Sequence, residues 1–267
     1  MKITAKTRKS HYWNEDRFVL GKDYFMVIDG ATPLIKSNNF NEACWLVTYV
    51  KDNINKLTGC IEDRLNVLSK EGFNLLPVKI KEEDYMPSAS LAYIEVLEDE
   101  FSAHTLGDCE VTFILKDGNI IRCFETDLAK LDDKSINELV HHAKEKNIHV
   151  VNARPYIKET LLKHRKMINK SNGYKGFSLT SDPNIKTSCF NIKKDLVQEI
   201  YIYSDGFSQS FEHLNVYKSH EAMFSKSLDL EEEIKKIKDH AFLDPYCNKY
   251  PRLKKIDDIT VIKIELE

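Results

Sequence analysis

The chain has 267 residues, enough for one domain of ordinary size or two small ones. Hydrophobic residues make up 42% and charged residues 30%, which excludes a disordered chain and supplies material for a sizeable core. The formal net charge is -3 with no basic block, so nucleic acid is not indicated as a partner.

The N-terminus, Met1 to Ser10, is charged and has no apolar run, so it does not read as a secretory signal. No segment approaches the roughly 18 apolar residues of a membrane span, and the expected location is cytoplasmic. The six cysteines, at 44, 60, 109, 123, 189 and 247, form no C-x-x-C pair. They read as reduced thiols, not as a zinc or dithiol site.

Tyr24–Ile28 is an apolar run ending at Asp29-Gly30, the pattern of a buried strand stopping at a turn. From 40 to 57 the period changes. Ala43, Leu46, Val47, Val50, Ile54 and Leu57 recur every three or four residues, which predicts an amphipathic helix. Ile61, Leu65 and Leu68 suggest a second helix after Gly59. Four strands follow, at 88–96, 100–106, 110–115 and 119–124, with Asp117-Gly118 as a hairpin turn, so a meander is predicted. Helices are predicted at 135–146, opening on the capping box Ser135-Ile136-Asn137-Glu138, at 155–168, and at 230–242. The turn-rich stretch 170–195 is the candidate flap. Strands at 198–204 and 259–266 complete the chain. The reading is one α+β domain, two packed sheets covered by helices.

The acids fall at strand ends. Asp29 and Asp205 close strands, Asp257 opens one, Asp108 sits at a turn, and Glu15-Asp16 precede the Arg17–Leu20 run. Carboxylates converging in a partly dry site either protonate or hold cations. Oxygen-only ligands select hard ions such as Mg²⁺ or Mn²⁺, and two such ions can activate a water for attack on phosphorus. Each acid taken singly reads more simply as a turn or surface residue.

Taken in order, Asn14-Glu15-Asp16, Val27-Ile28-Asp29-Gly30, Leu106-Gly107-Asp108, Tyr203-Ser204-Asp205-Gly206 and Asp257-Asp258-Ile259-Thr260-Val261 resemble the metal-dependent protein phosphatases of type 2C, in their compact bacterial form. The resemblance runs from about residue 3 to 266. It implies an α-β-β-α sandwich with a dimetal centre at one end of the sheets, and phosphomonoester hydrolysis by metal-activated water. It implies that Asp29 bridges two Mg²⁺ or Mn²⁺ ions, with the Gly30 carbonyl on one of them. Glu15 would serve one ion, with Asp16 nearby through water, and Asp205 and Asp257 would hold the other. Asp258 alternates with Asp257 by one residue, and Asp108 corresponds to the acid of a third, looser ion. The implied partners are a phosphoprotein substrate and a serine/threonine kinase acting on the same targets.

Two positions depart from the family pattern. Where the family's phosphate-gripping Arg belongs, this chain has His11, with Arg8 nearby; where eukaryotic members have a proposed acid His, it has Ala31. His11 or Arg8 is therefore the expected phosphate contact. A phosphatase-like binding module and a small-metabolite phosphatase stand as alternatives. His141, His142, His213, His220 and His240 read as surface residues, Trp13 and Trp45 as core, and Lys254 and Lys255 as a solvated edge.

Overall fold

The computed structural model describes residues 1–35, 40–80 and 85–266. One sheet is hydrogen-bonded in the order β1 (Lys2–Arg8), β11 (Ile259–Glu265), β10 (Val197–Tyr203), β6 (Glu110–Leu115) and β7 (Ile120–Cys123). The other runs β2 (Asp16–Leu20), β3 (Tyr24–Gly30), β4 (Ser88–Val96), β5 (Glu100–Leu106) and β9 (Ser188–Lys193), with β8 (Phe177–Ser178) paired to β4. All the pairings between these strands are antiparallel.

Strand periodicity divides the apolar residues between two layers. Phe25 and Val27 of β3, Ile200 and Ile202 of β10, and Ile262 and Ile264 of β11 meet between the sheets. The alternate residues face outward. Met26 and Ile28 pack under α1 (Glu42–Asn53) and α2 (Ile61–Leu75), through Leu46, Val50, Leu65 and Leu68. Tyr201, Tyr203 and Val261 pack under α5 (Asp205–Glu212), α6 (His220–Phe224) and α7 (Leu230–Phe242). Burial on both faces is why the central strands read as continuous apolar runs. The layers are helix, sheet, sheet, helix, as the α+β reading expected. Between β7 and β8 lie α3 (Thr126–Glu145), a 3-10 segment (Val150–Ile157) and α4 (Lys158–Arg165), which build a small satellite core around Leu139, Ala153 and Ile157.

Several expectations are corrected. The strand β1 was not foreseen. It pairs with β11 along its whole length, from Lys2↔Glu265 to Arg8↔Ile259. Its lysines and threonines are those of a solvated edge and hide the signal. Helix α3 begins at Thr126, so Ser135 lies in mid-helix; its hydroxyl donates to the Leu131 carbonyl and meets His164 Nδ1 instead of capping. The stretch 170–195, expected as a flap, contributes β8 and the edge strand β9, which pairs with β5. Trp13 is 45% exposed, not core, and His220 is buried against Thr112, not on the surface. The Asp117-Gly118 hairpin is present, with Gly118 at φ +86°. Among the described residues no helix is long and apolar enough to cross a membrane.

Candidate active site

Antiparallel pairing brings the acids to one end of the sandwich. Asp29 ends β3, and Asp205 follows the end of β10; Asp16 begins β2, Asp108 precedes β6, and Asp257 precedes β11. Each strand end therefore adjoins a strand start, and Asp16 lies directly opposite Asp29. Asp29 falls in the alternation of Phe25 and Val27, on the side between the sheets.

Two Asp-Gly pairs allow the close approach. Neither Gly30 nor Gly206 has a positive φ. A Cβ on Gly206 would sit 1.9 Å from the Asp258 carbonyl oxygen, and one on Gly30 would sit 2.9 Å from that of Glu15. Glycine is required there for backbone contact, not for a turn. Gly107, at φ +71°, turns the chain so that the Asp108 N–H donates to Ser90 Oγ at 3.2 Å.

Asp29, Asp108, Asp205 and Asp257 line one cleft of about 170 Å³. Burial, then the facing Asp16, Asp205 and Asp108, push the Asp29 carboxyl well above the usual range. Burial, then Asp257 and Asp108, do the same to Asp205. One oxygen of Asp205, Oδ1, is buried without a hydrogen-bond partner. Ligand atoms of Asp29, Asp108 and Cys109 lie within 4.8 Å of one another. Burial holds the Cys109 thiol protonated, so it counts as core. An orphaned carboxylate oxygen among converging acids, with no thiolate or imidazole in the set, fits a hard divalent ion.

The other predicted residues take different places. Asp16 is buried behind the cleft, accepting from Ser204 Oγ at 2.7 Å; that hydroxyl also accepts from the Thr260 N–H at 3.0 Å. Burial, outweighing this hydrogen bond and aided by Asp258 and Asp257, lifts Asp16 to about 7. Glu15 lies beside the cleft, accepting from Thr32 and from Asn41 Nδ2. Asp258 is committed to backbone, with Oδ1 accepting from the Ser10 N–H at 2.6 Å and Oδ2 from the Glu15 N–H at 2.7 Å. It clamps the 10–15 loop, while Asp257 points to the cleft. His11 is exposed and lines a neighbouring groove, not the cleft. Arg8 turns away to pair with Glu231 at 2.6 Å.

Sequence reasoning missed five charged groups around the cleft. Lys254 is not a solvated edge. Its Nζ donates to Asp257 Oδ1 at 2.7 Å. Burial would lower its pKa, but Asp257, Asp205 and Asp29 together hold it well above the usual value. Lys254 lies three residues before Asp257, so closeness to the motif was the available signal. Arg252, buried and paired with Asp244 at 3.1 Å, knots the loop that carries it. Arg154, Arg165 and Asp132 come from the helical segment between β7 and β8 and had no local signal. Burial, then Asp108, raises Asp132 to about 7.

The raised carboxylates predict a pH dependence for the metal-free protein. Asp16 stands at about 7 when folded against 3.8 otherwise, so between those values the folded chain holds a proton that the unfolded chain has lost. The stability this contributes is present at low pH and is lost as pH rises through about 7. The melting temperature of chelated protein is expected to fall by several degrees between about pH 5.5 and 8. A flat or rising profile would show that these acids are ionised in the folded state.

No sequence-family model matches this chain, and no curated protein matches it by sequence. Solved structures do match. A serine/threonine phosphatase from Staphylococcus aureus aligns with TM-score 0.56 at 12% identity, over 100% of this chain and 95% of that one. The serine/threonine phosphatase of Mycobacterium tuberculosis aligns with TM-score 0.57 at 13% identity, over 100% and 98%. The catalytic domain of a serine/threonine protein phosphatase in complex with two manganese ions aligns with TM-score 0.56 at 11% identity, over 99% and 97%. The sandwich is therefore the fold of bacterial serine/threonine phosphatases.

Proposed function

We propose that this protein is a metal-dependent serine/threonine protein phosphatase that hydrolyses phosphomonoesters with water activated at a dimetal centre. The observation that carries this reading is the convergence of Asp29, Asp108, Asp205 and Asp257 on one cleft, with a buried oxygen of Asp205 left unpartnered. The fold and the two manganese ions of one structural neighbour support it. A phosphoprotein substrate, a kinase working on the same targets, and a cytoplasmic location accord with it.

Mg²⁺ or Mn²⁺ bound there would lower the pKa of a water and draw charge from the phosphoryl oxygens. In this reading Asp29 would hold the ions, aided by the Gly30 carbonyl, with Glu15 and Asp16 supporting from the N-terminal side. Asp205 and Asp257 complete the set, and Asp108 beside Asp132 would hold a third ion. Asp258 is assigned to positioning, because both of its oxygens take backbone N–H groups.

Phosphate recognition is assigned to Arg165 and Arg154, which line the cleft, instead of Arg8. Among the described residues the contacts Arg165 donates are long, 3.3 Å to Ser88 Oγ and 3.4 Å to the Thr32 carbonyl, so its guanidinium can re-aim at an anion. Arg165→Ala is expected to raise KM about tenfold with a smaller fall in kcat, and Arg8→Ala to be silent. A KM effect at Arg8 instead would return recognition to the N-terminal segment.

The direct test is turnover of an aryl phosphate and of phosphoserine and phosphothreonine peptides, with and without Mn²⁺. A second reading draws on Lys254. A cation fixed among the acids suits a binding module that has given up its metals. Calorimetric titration with Mn²⁺ separates the two, since a module of that kind takes up no ion.

A further inference from the structure

Beside the cleft runs a groove of about 1000 Å³. Lys254, Asp257 and Arg154 line both, so the groove is continuous with the acidic site. Tyr12 and Trp13, which are 82% and 45% exposed, also line it. Their rings pack edge to face with centroids 5.0 Å apart. Two adjacent aromatic side chains left in water are costly unless something covers them.

Their loop is held rigidly. Asp258 accepts from the N–H groups of Ser10 and Glu15, on either side of the pair. Asn14 Nδ2 donates to Thr7 Oγ1 at 2.9 Å. The rings are thus presented in one place, which lowers the entropy lost on covering them. Pro155 and Leu161 line the groove as well, together with the exposed Lys158 and Lys255. Neither lysine enters an ion pair among the described residues.

We infer that this groove is a subsite for the polypeptide flanking a phosphorylated residue, with Tyr12 and Trp13 gripping a large apolar side chain and Lys158 and Lys255 meeting acidic ones. The inference rests on the phosphatase reading of the cleft and names its substrate class. A phosphopeptide held at the acidic cleft has to continue somewhere, and the groove opens from that cleft. Its lining offers exposed aromatic rings and two exposed lysines beside the acids, which complements an apolar and acidic flank.

The test compares wild type and Trp13→Ala, in Mn²⁺, on p-nitrophenyl phosphate and on two phosphoserine peptides. One peptide carries aromatic and acidic flanks, and the other carries alanine and lysine. Trp13→Ala is expected to raise KM for the aromatic-acidic peptide about tenfold, and to leave the other peptide and p-nitrophenyl phosphate unchanged. Lys158→Glu with Lys255→Glu should reverse the preference between the peptides. An unchanged KM in Trp13→Ala, or an equal loss on all three substrates, overturns the subsite. Anisotropy of the labelled peptide on Asp29→Asn protein gives a readout independent of turnover. If p-nitrophenyl phosphate is not hydrolysed at all, the phosphatase reading fails. The subsite then stands only if Trp13→Ala still weakens peptide binding about tenfold, and falls if affinity is unchanged.

Discussion

With excess EDTA, hydrolysis of an aryl phosphate by this protein is expected to fall to the uncatalysed rate, and to return when Mn²⁺ or Mg²⁺ is restored. The reason lies in the cleft. Without cations, Asp29, Asp108, Asp205 and Asp257 present either repelling charge to a phosphate dianion or neutral carboxyls that stabilise nothing. Lys254 also lines the cleft, but it is held by Asp257. Among the described residues, no serine or cysteine in the cleft offers a trained nucleophile. Ser88 and Ser90 line it, but neither hydroxyl is paired with a histidine, and Cys109 is a buried, protonated thiol. Ca²⁺, larger and less demanding in geometry, should restore activity poorly. Activity unchanged in excess chelator would overturn the proposed mechanism outright.

Asp29→Asn is expected to lower kcat about 10³-fold, with the fold intact. Asparagine keeps the shape and removes the charge that two ions would share. The same change should raise the melting temperature of the metal-free protein. Burial and the facing Asp16, Asp205 and Asp108 all disfavour that charge, so its removal relieves repulsion. Opposite signs in activity and apo-stability distinguish a ligand from a turn residue. A turn residue would change neither much. Kinetics on the aryl phosphate and a thermal melt in EDTA measure both, and wild-type kcat in this variant would reduce Asp29 to a structural role.

The division between local and tertiary information follows from range. The central strands were legible because they are buried on both faces, so runs such as Tyr24–Ile28 are apolar throughout. Helices α1 and α7 were legible because a single buried face imposes a 3.6 period. The edge strand β1 was not, because half its side chains face solvent and its pairing with β11 spans nearly the whole chain. Helix α3 started nine residues early because its first turns, from Thr126, bury little and so carry little period.

The candidate site divides in the same way. The sequence by itself determined which acids stand at strand ends and in what order, since strand ends are marked by Asp-Gly and by the change of apolar pattern. It could not decide which of Asp257 and Asp258 faces the cleft, because neighbours on an extended chain point to opposite sides and only the packing of the 10–15 loop against Asp258 chooses. Nor could it bring Lys254, Arg154 and Arg165 to the acids, or turn Arg8 away to Glu231. Long cationic side chains go where opposite charge is left after the backbone has folded. That is a property of the assembled surface, not of any segment that contributes to it.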